Sequence, residues 1–548
     1  MFKKFSHTTF ILILIFILAL ILRIFNLSTN PPALNWDEVS HGYNAYSILK
    51  TGSDEWGQIF PLTNFRAYGD YPLTLYMYLT MPWIIIFGLN EFSIRLTAAI
   101  FGSLMVLLIF FMTKQFTGNV KIALLSAFLI AISPWSILTS RQVLQSTPAI
   151  FFLTLGILLF FKGLKKSKWL IFSGLSFGLS AYGYHNTRIL VYPLIIILFL
   201  LYRRNLFNFK KTLLMVGLIL VVMAIPIGLA FLSNEVSARA VWVGILDQGA
   251  VNHINELRGS STLPGPLPII LYNKPLYFIE KTVSNYIGYF NPIFLGFSGG
   301  SQYQFSIPGL GIVYPIELVP FYLGIVLLFL NFLKNIQLRF LLIWLLFAPL
   351  PAAVTRDESQ VVRSTIMLPV FYLVTALGLE KIADFFTKFN KKLSSVFMVA
   401  FIFISLILFA NFYTNYFTDY RVKYSFAWQY GYKKVANFIK ENNNKYNTFY
   451  ITKKYGEPHE FLLFYLQYDP QKYKTDPNLI RYNRSNWFWV DQFDRYSFLN
   501  DWEIKDKTKD KKSGILITSP GNYPQNARKI ETINFLNDEP AFDIMELK

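Results

Sequence analysis

The chain of 548 residues contains no cysteine, which excludes disulfides and thiolate metal sites. Charge is scarce too: 15% of residues are Asp, Glu, Lys or Arg, against 53% hydrophobic and 18% aromatic. That is the composition of a membrane protein. Acids are scarcer than bases, 32 against 51, leaving a formal charge of +19. Such an excess suits nucleic acid when it forms a basic face on a soluble domain. Here many lysines sit in short clusters between apolar runs, which reports topology instead and argues against a nucleic-acid partner. Polar residues dominate after about residue 415, so a large membrane region is followed by a soluble tail.

Apolar runs long enough to cross roughly 30 Å of hydrocarbon occur near 9–27, 93–113, 121–138, 146–162, 168–184, 188–202, 212–232, 311–331, 338–354, 364–381 and 394–413. The expectation is a polytopic α-helical membrane protein of about eleven spans. The first run follows Lys3 and Lys4 with no small-residue cleavage site and is read as a retained anchor. With the N-terminus in the cytoplasm, the clusters Lys162–Lys168, Arg203–Lys211 and Lys381–Lys392 all fall inside, as the positive-inside rule requires. The stretch 71–88 would reverse everything downstream if it crossed, so it is laid along the outer leaflet, where its Tyr, Trp and Pro residues suit an interfacial helix. An odd number of spans then puts the tail outside.

On this topology the outer side up to 414 is rich in arginine, including Arg95, Arg141, Arg188, Arg356 and Arg363, while the inner side is rich in lysine. Arginine's planar fork suits bidentate phosphate or carboxylate binding. The competing reading is that each of these arginines snorkels to lipid headgroups.

The first outer loop holds "NWDEVSHGYNAYSILKTG", residues 35–52. Val39, Tyr43, Tyr46 and Leu49 follow helical spacing, and Lys50, Thr51 and Gly52 end the pattern, which predicts a short amphipathic helix on the outer surface. Asp37 and Glu38 occupy its first turn. Two readings fit them: acids stabilised by the helix dipole, or a carboxylate pair at the membrane face that takes a proton from an acceptor while arginines stabilise a leaving phosphate.

The "DE" of this stretch resembles the signature of the polyprenyl-phosphate-dependent GT-C glycosyltransferases, in particular the bacterial relatives of protein O-mannosyltransferases and lipid A aminoarabinose transferases. Further segments match in order: 69–116, beginning "GDYPLTLYMYLTMPW"; "SRQVLQSTPAIFFL" at 140–153; and "VVRSTIMLPVFYLVTALGLE" at 361–380. The resemblance covers roughly residues 1–415. Where the aminoarabinose transferases continue with a basic residue, this chain has Val39 and Ser40.

The resemblance implies transfer of a sugar from a polyprenyl phosphate with inversion, so one carboxylate suffices as general base. Asp37 stands at the family position for that base, and Glu38 would orient Asp37 or the acceptor. Arg95, Arg141 and Arg363 match family turns and are phosphate candidates, with Arg188 and Arg356 beside them. Asp70, before the proline-led helix, is a sugar or metal contact or else the cap of that helix at Pro72. In "YGYHNTR", Tyr184 is a sugar or phosphate contact, and His185 is a sugar, phosphate or metal contact or else an interfacial polar residue. A divalent metal would draw on Asp37, Glu38 and His41, which lies one helical turn from Asp37.

The expected organisation is a GT-C-like membrane domain over 1–414, with an outer loop at 28–92 and a second at 233–310, then a small extracytoplasmic α/β domain over 415–548. In the tail, "SFAWQYGYKKVANFIKENN" and "EPHEFLLFYLQY" have helical spacing, and "NTFYIT", "NWFWVDQF", "GILITSP", "KIETINF" and "AFDIMEL" read as strands. Partners implied are a polyprenyl-phosphate-linked sugar, an acceptor glycan, lipid or protein, and the bilayer, in the plasma membrane. The rival classes are a transporter, which predicts inverted repeats and mid-membrane charges, and a polysaccharide ligase or polymerase using a lipid-linked donor.

Overall fold

The computed structural model describes residues 6–69, 71–232, 243–485, 487–511 and 513–547. All eleven apolar runs fold as helices, because a backbone without water must bond to itself within the segment. Among the described residues, six helical segments are long and apolar enough to cross a membrane, His7–Ile24, Glu91–Thr117, Ser146–Gly163, His185–Leu232, Ile336–Ala353 and Lys391–Lys423. A seventh arises if Val120–Ile132 and Pro134–Ser140, bent by 53°, form one span. Lys168–Ala181 and Pro315–Leu330, with 14 and 16 residues, fall short, so the structure leaves the count of eleven unestablished. The interfacial stretch 71–88 becomes the helix Leu75–Phe87, whose 13 residues span about 20 Å, less than a bilayer's core.

Contacts divide the chain into two units. The first takes 1–23, 100–140 and 145–412 and is helical. Its core includes Trp135, Trp344, Phe321 and Phe371, the last two with ring centroids 4.3 Å apart. Helices Pro315–Leu330 and Met367–Phe389 pack backbone against backbone at Gly378, where a Cβ would lie 1.8 Å from the Pro320 carbonyl oxygen, so a small residue is obligatory there. Arg23 is fully buried in this unit. It donates to the carbonyls of Ala19, Ile130 and Ala131 and to Ser136 Oγ, supplying donors to carbonyls next to the bend that precedes Pro134.

The second unit takes 24–99, 141–144 and 413–548. Residues 24–99 therefore share a core with the tail. That tail is the expected α/β domain: a seven-stranded sheet in the order β2-β3-β4-β1-β5-β7-β6. Its strands are β1 (Phe449–Thr452), β2 (Ile480–Arg484), β3 (Trp487–Phe493), β4 (Tyr496–Leu499), β5 (Ile515–Thr518), β6 (Ala527–Asn534) and β7 (Pro540–Leu547). β1 runs parallel to β4 and β5, and the other pairings are antiparallel. Helices Tyr432–Glu441 and Pro458–Tyr465 belong to one core with Phe449, Ile451, Ile515 and Ile517 of the sheet, and Val39, Tyr43 and Ile48 of the first loop join the same core.

Candidate active site

Helix Trp36–Thr51 begins where Asn35 accepts from the Glu38 amide and Glu38 accepts from the Asn35 amide, a reciprocal capping box. It ends at Gly52, whose φ of 72° is the left-handed conformation that favours glycine. Both ends match the sequence expectation; its surroundings do not. Instead of lying on a surface, the helix is buried on most sides, from Glu38 through Ala45 and again at Ser47 and Ile48. Gly42 makes this packing feasible, since a Cβ there would lie 2.6 Å from the ring of Phe464.

The two adjacent acids have opposite fates. Glu38 is fully buried and accepts four hydrogen bonds: from Arg95 Nε and Nη2, both at 2.8 Å, from the Val143 amide at 3.0 Å and from the Asn35 amide at 3.2 Å. Asp37 is exposed, and the Tyr68 hydroxyl donates to its Oδ1. The helix's first turn is tied to the tail through the Trp36 amide, which donates to Gln429 Oε1 at 2.9 Å.

Arg95 is corrected from phosphate ligand to clamp. Its five N–H donors go to Glu38 twice and to the carbonyls of Leu27, Pro31 and Ala33, so none is left for a phosphate. Arg141 is buried as well: it donates to the carbonyls of Phe25 and Asn30 at 2.8 and 2.7 Å, and its guanidinium lies 5.1 Å from the ring centre of Phe417. His41 does not gather a metal site with Asp37 and Glu38. Its Nδ1 donates to the Asp37 carbonyl at 2.8 Å and its ring stands edge-on to Phe65 and Tyr76. Among the described residues no group of three or more His, Asp or Glu side chains is placed to hold a metal ion. Asp70 lies outside the described residues.

Tyr184, His185, Arg188, Arg356 and Arg363 belong to the helical unit. Tyr184 and Arg188 are buried, and Arg188 Nε donates to the Ala181 carbonyl at 3.0 Å. His185 opens the helix His185–Leu206 and is half-buried. Arg356 pairs with Asp247 at 2.9 Å, and Arg363 pairs with Asp357 at 3.0 Å while donating to Thr355 Oγ1. Both keep solvent access, unlike Arg95 and Arg141.

Sequence reading missed three features of the second unit. Tyr68 sits in an irregular stretch with no periodic signal to mark it. Arg66 stacks its guanidinium 5.4 Å from the ring centre of Trp56 and 4.8 Å from that of Phe488, and its Nε has no hydrogen-bond acceptor among the described residues. The third is a set of buried acids, Glu55, Glu457 and Glu460. Burial pushes Glu55 and Glu457 up to about 7. Glu460 is raised by burial and by its neighbours Glu55 and Glu457. Trp487 Nε1 donates to Glu457 at 2.7 Å, and His459, lowered by burial to about 3, stays neutral beside them.

These shifts predict a pH profile of stability. An acid raised in the folded state stabilises below its ordinary value of 4.5, and that contribution is lost as pH rises through about 7. His459 acts oppositely, its contribution being lost as pH falls below 6.5 towards 3. Above pH 6.5 only the acids act, so thermal stability of the purified protein will fall from pH 6.5 to 8, and Glu460→Gln will flatten that fall. A melting temperature that rises across this window would contradict the assignment.

Comparison with known proteins adds the fold's relatives. Residues 72–229 match the family model for dolichyl-phosphate-mannose-protein mannosyltransferase. An uncharacterized protein of Aquifex aeolicus (strain VF5) is 27% identical over 160 residues, 29% of this chain and 31% of that protein. The crystal structure of ArnT from Cupriavidus metallidurans bound to undecaprenyl phosphate superposes with a TM-score of 0.54 at 12% identity, covering 99% of this chain and 98% of that one. The apo oligosaccharyltransferase of Archaeoglobus fulgidus superposes with a TM-score of 0.52 at 15% identity, covering 84% of this chain and 64% of that one. The match thus spans less than a third of the Aquifex protein and under two thirds of the oligosaccharyltransferase. At these identities the likeness is one of fold: this chain resembles the GT-C glycosyltransferases of the protein O-mannosyltransferase and ArnT superfamily.

Proposed function

We propose that the chain is a membrane glycosyltransferase that moves a sugar from a polyprenyl-phosphate donor to an acceptor on the outer side of the membrane, with inversion and with Asp37 as general base. The observation that carries this reading is the division of labour in the acidic pair. Glu38 has every lone pair engaged within the protein, while Asp37 stands exposed beside a hydroxyl donor. The GT-C fold and a structural relative described with undecaprenyl phosphate support the choice of donor.

In the proposed reaction Asp37 takes the proton of an acceptor hydroxyl, whose oxygen then attacks the anomeric carbon as the bond from that carbon to the phosphate oxygen breaks. Direct displacement inverts the anomeric centre, and the proton stays on Asp37 until solvent removes it. Charge building on the leaving polyprenyl phosphate calls for fixed cations. Arg66, in the same unit as Asp37, suits that role because it keeps solvent access, whereas Arg95 and Arg141 are buried against protein carbonyls. We place the N-terminus in the cytoplasm and residues 415–548 outside, on the strength of the lysine clusters between spans.

The test is to reconstitute the purified protein in liposomes with a panel of synthetic polyprenyl-phosphate sugars carrying radiolabelled sugar, and to follow release of label from the lipid. Donor consumption is expected for at least one sugar. Movement of intact labelled lipid across the bilayer without consumption would favour a transporter.

A further inference from the structure

The outer part of the tail's sheet carries a feature that the base and phosphate assignments leave unused. Strand register sets Tyr482 of β2 opposite Trp489 of β3, Gln492 of β3 opposite Ser497 of β4, and Ser497 opposite Tyr450 of β1. Residues from these strands, with Asn500, Glu503 and Lys507 beyond β4, enclose a cleft of about 410 Å³. That volume lies in the range of small-ligand sites.

The lining is unlike a lipid groove. It combines tyrosine rings with acids and amides, Asp491, Gln492, Asn500 and Glu503, that accept or donate in fixed directions. Its lining cations are Arg484, Lys507 and Lys511: Lys507 pairs with Glu503 at 3.2 Å and Lys511 lies 6.0 Å from the ring centre of Tyr450, while Lys453, next to the cleft, pairs with Asp491. A cleft of rings and planar polar groups, with charges of both signs on its lining, fits a polyhydroxylated ligand, whose C–H faces lie on aromatic rings and whose hydroxyls bond to carboxylates, amides and cations.

From the cleft a row of rings leads to the acidic helix. Lys453 Nζ lies 5.1 Å from the ring centre of Trp489, which is 6.1 Å from Trp487. Trp487 lies 5.5 Å from Tyr68, which is 5.7 Å from Trp36 and donates through its hydroxyl to Asp37. Trp36, Trp487 and Trp489 are each half-exposed, so the row offers ring surface to a bound chain.

We infer that this cleft and the row of rings from Trp489 to Trp36 hold an oligosaccharide acceptor, so that the group receiving the sugar at Asp37 belongs to a glycan. The inference rests on Asp37 being the base of the proposed reaction. It assigns to the soluble domain the choice of acceptor.

The test uses full-length Asp37→Asn protein in lipid nanodiscs, free of glucoside detergent, applied to an array of bacterial, plant and animal oligosaccharides together with Ser/Thr-rich peptides. At least one oligosaccharide is expected to bind. Its affinity, followed by tryptophan fluorescence, is expected to fall at least about tenfold in Tyr482→Ala and Trp489→Ala, the size of losing an aromatic anchor. Tyr482 is exposed on an edge strand, so Tyr482→Ala is expected to keep the wild-type melting temperature and to report binding alone. With Asp37 restored, the same substitutions should raise the KM for that glycan and leave kcat unchanged. Absence of any glycan binding, equal binding by both variants, or binding of the peptides in place of glycans would each overturn the inference. Glycan binding lost in the variants, in a protein that consumes no lipid-linked donor, would keep the glycan cleft and overturn the transferase reading.

Discussion

Asp37→Asn will lower sugar transfer at least roughly a hundredfold, the lower end of what a general base contributes, while leaving the protein folded. Asparagine keeps the shape of the side chain and an oxygen that can accept from the Tyr68 hydroxyl, and it remains a favourable residue at a helix start. What it loses is the ability to take a proton. Tyr68 is buried, and the asparagine oxygen keeps its hydroxyl bonded. The rate should be measured with a saturating lipid-linked donor, beside thermal unfolding of the same preparation. Wild-type transfer by the variant would show that Asp37 is only a helix-start acid, and the base would have to be sought elsewhere.

The second large effect falls on stability. Arg95→Met will cost about 3–5 kcal/mol, as expected when one partner of a buried ion pair is removed. Both side chains of the pair are fully buried. The cost comes from what the change leaves behind: the Glu38 carboxylate loses two of its four donors, and the carbonyls of Leu27, Pro31 and Ala33 lose theirs. Glu38→Gln should be milder alone, because an amide still accepts from the Val143 amide. In the double variant the losses should fall short of their sum, since each change already breaks the same pair. Unfolding in detergent measures this directly, and strictly additive losses would mean that the pair is not coupled. Activity falls in Arg95→Met as well, through the helix that carries Asp37.

The comparison of these two acids shows where sequence information ends. Neighbouring residues on a helix point about 100° apart, and here Glu38 faces inward while Asp37 faces outward. Periodicity alone favours neither, because the stripe Val39, Tyr43, Tyr46 and Leu49 marks one apolar side, with Tyr46 and Leu49 only half-buried, and gives no sign that the helix is enclosed on others. Enclosure comes from residues 413–548, separated from it by more than 300 positions, whose Phe464 closes on Gly42. Arg95 was misjudged for the same reason. An arginine at the start of an apolar run offers the same sequence signal whether it meets a lipid, a phosphate or a carboxylate, and only its partners distinguish them.

What the sequence by itself determined is local. The helical state of the apolar runs, both ends of Trp36–Thr51, and five of the seven strands of the tail follow from hydrophobic period, caps and turn residues, which act over a few positions. Strand β2 escaped because it is largely exposed and so carries no apolar alternation, and β4 because it starts at Tyr496, directly after β3 ends at Phe493, with no turn signal long enough to separate them. Only the tertiary structure decided which acid is available, which arginines are consumed, and that Glu55 of the first loop shares a buried cluster with Glu457 and Glu460 of the tail. The physical reason is that a side chain's chemistry depends on its burial and its partners, and the fold chooses both from distant parts of the chain.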